Sequence, residues 1–161
     1  MEYDLIYDFN EHGLYYDGID HIFIEKEFIL TIDDTIELFV DYNTKKMIYI
    51  GGFLPLVRAI KKEIKIYSYI EDDYCIQIAD VQYFQGVAYD FFHFFEDSRE
   101  YFFKDELLIL YYDELNSRIL LGRQEKNDQC IKINKNIYCG FDIYNNLKFL
   151  ILSVDRIKNK N

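Results

Sequence analysis

The sequence has no tryptophan, a single proline at Pro55, seven glycines and three cysteines. An odd cysteine count without C-x-x-C spacing argues against a disulfide framework or a zinc site, so Cys75, Cys130 and Cys139 read as small buried hydrophobes. Gly51-Gly52 is the sole glycine pair, and it lacks the further glycines and the Lys-Ser/Thr of a phosphate loop. Serine is scarce too: Ser68, Ser98, Ser117 and Ser153 form no G-x-S-x-G elbow, which removes the best-known serine hydrolase signature. The longest apolar runs, such as Leu107–Tyr112 and Phe149–Leu152, are far short of the ~20 residues a helix needs to cross a bilayer. Met1-Glu2-Tyr3-Asp4 is acidic where a secretory signal starts basic, so a cytoplasmic location is expected.

What is present is apolar and aromatic. Half of the 161 residues are hydrophobic, with sixteen Tyr and fourteen Phe, which is enough to fill one core without staples and rules out a disordered chain. A single domain over 1–161 is expected, with 1–70 and 71–161 as possible structural halves.

The net charge of −11 is unevenly laid down. Residues 1–42 carry twelve carboxylates against Lys26 alone; 43–70 carry a net +5, 71–114 a net −10 and 115–161 a net +5. An acidic block followed by a basic one, twice over, favours a basic protein partner and disfavours direct contact with nucleic acid, which needs a basic surface. The cluster Arg58, Lys61, Lys62 and Lys65 reads as a solvated basic face.

The hydrophobic period is mostly two, as in Tyr3, Leu5, Tyr7, Phe9 and in Ile131, Ile133, which is strand spacing. Runs rich in Ile, Tyr, Phe and Val predict strands over 21–25, 28–32, 36–42, 47–53, 64–70, 75–84, 106–112, 119–122, 130–134, 137–143 and 147–154. The polar breaks between them, Asn43-Thr44-Lys45-Lys46, Glu71-Asp72-Asp73, Asn116-Ser117, Asn134-Lys135-Asn136 and Tyr144-Asn145-Asn146, suit tight reversals. The expected fold is mainly β, with antiparallel hairpins in two packed layers or a curved sheet. Short helices are expected after Pro55, over 56–63, and within 89–104. The segment 38–51 overlies 109–122 without a gap, at an offset of 71 residues, and suggests an internal duplication.

No local spacing marks catalysis. His12, His21 and His93 lack the i, i+4 arrangement of a helical zinc site, and Asp33-Asp34, Glu71-Asp72-Asp73 and Glu96-Asp97 lack that of a calcium loop. No metal or other cofactor is implied. An enzyme or ligand-binding β domain using His12, His21 or His93 stays open as an alternative. So does a phage-type nucleic-acid mimic that inhibits a defence complex. Tyrosines among acids suit a protein interface. The candidate contact residues are Tyr7, Asp8, Glu11, Tyr15, Tyr16, Asp17 and Asp20, with Tyr15-Tyr16-Asp17-Gly18 as a turn, then Asp33, Asp34, Glu71, Asp72 and Asp73.

In its Ile/Tyr/Lys/Asn-rich composition, its charge, and hairpins such as FVDYNTKKMIYIGG and ILYYDELNSRILLG, the chain resembles the small acidic immunity proteins of bacterial polymorphic and contact-dependent toxin systems. That resemblance implies a protein that binds a cognate toxin domain, often a basic nuclease, and blocks it without chemistry of its own.

Overall fold

The computed structural model describes residues 3–18, 27–32, 35–74, 88–90, 109–141, 143 and 147–160. A first run of strands comprises β1 (Leu5–Asp8), β2 (Gly13–Tyr16), β3 (Glu27–Ile32), β4 (Ile36–Asp41) and β5 (Met47–Phe53). Three short strands follow, β6 (Ile60–Lys61), β7 (Ile70–Glu71) and β8 (Ala88–Asp90). The last run is β9 (Leu110–Asp113), β10 (Arg118–Gly122), β11 (Gln129–Lys132), β12 (Ile137–Phe141), β13 (Leu147–Ser153) and β14 (Arg156–Lys158).

The strands form two mixed sheets, in the orders β14-β1-β2-β5-β4-β3-β8 and β6-β9-β10-β13-β12-β11-β7. One apolar cluster draws on the inward faces of both, from Leu5, Phe28, Leu30 and Leu38 of the first to Ile119, Leu121, Leu150 and Leu152 of the second. Alternation explains the faces: Phe28, Leu30 and Ile32 of β3 are buried while Glu27, Ile29 and Thr31 between them are half-buried. Each fully buried aliphatic contributes about 1.5–3 kcal/mol relative to exposure. In β12 every residue is buried, because Ile64 packs with Leu120, Tyr138, Phe149 and Ile151 on the outer face of the second sheet.

The two sheets share one topology. Strands β1 to β5 lie in the order 1-2-5-4-3, and β9 to β13 repeat that order. Registers agree residue for residue: Leu5↔Tyr16 through Asp8↔Gly13 correspond to Leu110↔Leu121 through Asp113↔Arg118, an offset of 105. Ile36↔Gly52 corresponds to Ile137↔Leu152, and the bulge at Phe39/Val40 recurs at Gly140/Phe141. Each sheet is closed on both sides by a parallel edge strand, and the two units exchange their tails. After β5 the chain crosses to set β6 beside β9, and after β13 it crosses back to set β14 beside β1. The crossings begin alike, with the Leu54 N–H donating to His12 O at 2.7 Å and the Val154 N–H donating to Ser117 O at 2.9 Å.

The repeat expected at an offset of 71 is therefore a different relationship. It lays β4–β5 over β9–β10, hairpins that occupy different places in their units. They look alike because they use the same turn: an Asp caps it and a residue four positions on is left-handed. Asp8, Asp41 and Asp113 start such turns, and His12 (φ 52°), Lys45 (φ 62°) and Ser117 (φ 52°) finish them. Halves divided at residue 70 do not match the sheets either, since β6 and β7 belong to the second sheet and β8 to the first.

Several local expectations change. The helix over 56–63 shrinks to a 3₁₀ turn at Leu56–Arg58, because Ala59 is extended and β6 follows. Of the strand expected over 64–70 only Ile70 is in a ladder, while Ile64 folds onto the second sheet's outer face. Tyr89 and Asp90 lie in β8, not a helix; the rest of that segment, with the strands over 21–25 and 75–84, lies outside the described residues. Tyr15 and Tyr16 belong to β2, and the turn there begins only at Asp17.

Candidate functional site

The acidic and basic blocks meet in space. Asp4 and Asp17 of the first block pair with Arg156, at 3.4 and 2.7 Å, and Asp4 pairs also with Lys135 at 3.0 Å. Glu114 is bonded by Lys160 and lies 3.5 Å from Lys61. Asp8 caps its turn through the Asn10 N–H and accepts from Asn159 Nδ2 at 2.9 Å. The Asn159 contact, with the smaller contributions of Asn10 and Lys158, holds the Asp8 carboxyl below the usual carboxylate range. Among the described acids of the first block, Asp4, Asp8 and Asp17 are thus compensated, because β14 and the residues around it lie alongside β1. The described residues carry fifteen Lys and Arg against seventeen Asp and Glu, so most of the net charge resides in the remaining sequence.

Of the candidate contact residues, Tyr7 and Tyr16 are buried, at 0% and 3% exposure, so neither offers a surface. Tyr7 Oη donates to Leu54 O at 2.5 Å and accepts from the Leu56 N–H at 2.9 Å, which makes it a brace for the first crossing. Tyr15 is half-buried, with Lys158 Nζ 5.8 Å from its ring centroid. Glu11 is exposed in the β1–β2 turn. Asp20, Asp33, Asp34, His21 and His93 lie outside the described residues. His12 sits in that same turn, edge-on to Phe53 at 5.9 Å. Among the described residues no three His, Cys, Asp or Glu side chains are grouped as a metal site. Cys139 is buried, and burial pushes the half-buried Cys130 thiol up to about 11.

Glu71, Asp72 and Asp73 do come together with aromatics. Residues 67–73, Tyr-Ser-Tyr-Ile-Glu-Asp-Asp, are all exposed, and they run through β7, the outermost strand of the second sheet. Tyr69 stands edge-on to Tyr138 at 5.3 Å, and Lys132 Nζ lies 5.7 Å from its ring and 3.9 Å from Glu71. Met47 N–H donates to Tyr74 O and Lys46 Nζ pairs with Asp73 at 2.7 Å, which ties the end of this strip to the first sheet.

Beyond Asp73 the surface opens into a cleft of about 270 Å³ between the sheets. Its first-sheet wall is Tyr3, Tyr16 and Met47–Tyr49; the opposite wall is the β11–β12 turn, Ile133–Asn136. The turn is fixed by Asn134, whose Oδ1 accepts from the N–H groups of Asn136 and Ile137, while its Nδ2 donates to Ile48 O at 3.2 Å across the cleft. Lys135 Nζ is held by Asp4 and by Asp155 at 3.4 Å. Rings of Tyr16 and Tyr49 meet at 4.8 Å. Burial pushes the Tyr16 phenol well above its usual range, the neighbouring Asn134 side chain opposing, so it stays protonated. A second depression, about 400 Å³, lies along Glu71–Asp73 and Lys132 and shares Asp73 and Ile133–Lys135 with the cleft.

The strip and cleft were only partly readable in the sequence. The sequence marks the acids 71–73 and, among the tyrosines that lie near acids, Tyr3, Tyr67 and Tyr69; Tyr49 carries no such mark, and tyrosine alternation alone does not separate core from surface. No family model matches the chain. No curated protein matches it either.

Proposed function

We propose that this chain binds and neutralises a basic protein, a toxin domain of the nuclease kind, and performs no chemistry itself. The observation that carries this reading is the exposed strip Tyr67–Asp73, where two tyrosines and Ile70 are followed by three carboxylates on an outermost strand. Tyrosine offers large contact area with few rotors, and partly exposed Tyr and Ile beside acids form a patch of the kind that serves as an interface core with a charged rim. Long-range attraction comes from the sequence's surplus of carboxylates, which speeds encounter with a cationic partner and repels nucleic acid. The resemblance to small acidic immunity proteins points the same way.

Co-expression with the product of the adjacent gene tests it. Stoichiometric co-purification, and relief of that product's toxicity, are expected. A toxic neighbour that this chain neither binds nor relieves removes the reading.

A further inference from the structure

Exposed apolar side chains gather at the two outer strands of the second sheet. Among the described residues eight large hydrophobic side chains are exposed, and five of them flank those strands: Val57 and Ile60 at β6, and Tyr67, Tyr69 and Ile70 at β7. The duplicated fold shows that the first group is not needed to cross between sheets. Ile60 and Arg156 hold the same place in their units, opposite Tyr111 and Ile6. The second crossing reaches that place with one residue after Val154, whereas the first takes five after Leu54, and Val57 is among the five.

Both edges present open backbone. The Lys62 N–H donates to Tyr112 O and the Asp72 N–H donates to Lys132 O. The residue before each, Lys61 or Glu71, therefore turns its own N–H and C=O away from the sheet. β6 is parallel to β9 and β7 to β11, and β9 is joined to β11 through β10, β13 and β12 by antiparallel pairs, so the two edge strands run in the same direction. The β6 edge of one copy can continue the β7 edge of another as a parallel pair.

Charge selects that pairing over like with like. Arg58, Lys61 and Lys62 stand at β6, and Glu71, Asp72 and Asp73 at β7. Charged edges keep copies apart when their signs match, and here the signs are opposite. Lys62 lies over the Tyr111 ring at 4.3 Å and Glu71 is 3.9 Å from Lys132, yet both stay exposed. The faces fix a register. Ile60 and Lys62 share the outer face with Tyr111, and Tyr69 and Glu71 share it with Tyr138 and Lys132. Ile60 of one copy then lies beside Tyr69 of the next and Lys62 beside Glu71; a slip of one residue loses both pairs.

We propose that this chain associates head to tail with further copies of itself, β6 of one copy pairing in parallel with β7 of the next. A contact between two different surfaces leaves one of each free in a pair, so copies keep adding beyond two. The inference does not depend on the toxin reading; a toxin domain seated on Tyr67–Asp73 competes with the neighbouring copy.

Sedimentation equilibrium of the full chain over a concentration series tests it. The weight-average mass is expected to rise past that of two copies and to fall back with added salt. Hydrogen exchange at the Lys61 and Glu71 amides is expected to slow as the mass rises. Lys62→Glu and Glu71→Lys each change one exposed side chain, and each is expected to weaken association at least about tenfold with the thermal midpoint unchanged. Mixing the two variants is expected to restore association, because each supplies the charge that the other has lost. A chain that is monomeric at every concentration, a mass that stops at two copies, or folded variants that stay apart when mixed each overturns the proposal. Where a variant lowers the midpoint, exchange at the two amides of the unaltered chain decides instead: unchanged rates at rising mass reject the edge pairing. A monomeric chain that binds the toxin domain rejects the edge pairing and leaves inhibition standing. Association in a chain that binds no toxin does the reverse.

Discussion

Leu5 and Asp155 bond each other twice across 150 positions: the Leu5 N–H donates to Asp155 Oδ2 at 2.8 Å, and the Asp155 N–H donates to Leu5 O at 2.9 Å. The same Oδ2 accepts from Asn136 Nδ2 at 2.9 Å. This joint sets β14 beside β1. Asp155→Ala leaves the Leu5 and Asn136 donors unpaired, at a cost of about 1–3 kcal/mol. Urea unfolding reads that loss directly.

The same carboxylate gives a pH dependence. For Asp155 and for Asp113, burial acts to raise the pKa, but the bonds to Leu5, Asn136 and Lys135, and to Asn116 and Ile64, outweigh it and hold both below the ordinary 3.8. A folded-state pKa below the unfolded one means stability that is complete above the unfolded value and is lost as pH falls through the folded one. The urea midpoint is expected to hold down to about pH 5 and drop below about pH 4, with a shallower drop in Asp155→Asn. An unchanged acid slope in that variant assigns the effect to other groups.

Two buried tyrosines differ in what loss of the hydroxyl costs. Tyr7→Phe strands Leu54 O and the Leu56 N–H, both on the first crossing, and costs about 1–3 kcal/mol per group. Tyr16→Phe removes a hydroxyl whose neighbour is the Asn134 side chain and strands no backbone group, so it is expected to cost less. Paired denaturation curves separate them.

Two glycines are required for different reasons. Gly52 has φ 113°, and a Cβ there runs into the backbone oxygen of Thr35; at Gly140 a Cβ enters the Phe149 ring. Gly52→Ala is expected to cost at least about 1–3 kcal/mol, with no side-chain rescue. Gly140→Ala is expected to be rescued in part by Phe149→Leu, because what it meets there is a side chain. Additivity of the second pair in a double-mutant cycle contradicts that account.

Within the proposed interface, anchors and charges act on different rate constants. Tyr69→Ala is expected to raise the dissociation rate with the association rate little changed. Asp72→Asn with Asp73→Asn is expected to slow association, an effect that disappears at high salt. Surface plasmon resonance with the toxin domain resolves the two.

Strand positions were legible because one face of most strands is buried and side chains alternate. The hairpin turns were legible because Asp and Asn carry their own hydrogen-bonding chemistry, as Asp41 and Asp113 do. The duplication was misplaced, since turn grammar is shared by unrelated hairpins; its better trace is Leu5-Ile6-Tyr7-Asp8 over Leu110-Tyr111-Tyr112-Asp113. That alternation also placed Tyr7 with Leu5 on the inner face, against its choice as a contact residue. The parallel edge strands β6, β7, β8 and β14 are two or three residues long, and their pairing depends on partners far away in sequence. Charge blocks were visible, but not that the tail exchange folds Arg156 onto Asp4 and Asp17.

Affinity for the cognate toxin domain measured against ionic strength tests the central claim most directly. Tight one-to-one binding that weakens steadily with salt, and that weakens further when Tyr67 and Tyr69 are both replaced by alanine, is the predicted result. Binding that is indifferent to both salt and the tyrosines, or no binding at any ionic strength, contradicts it.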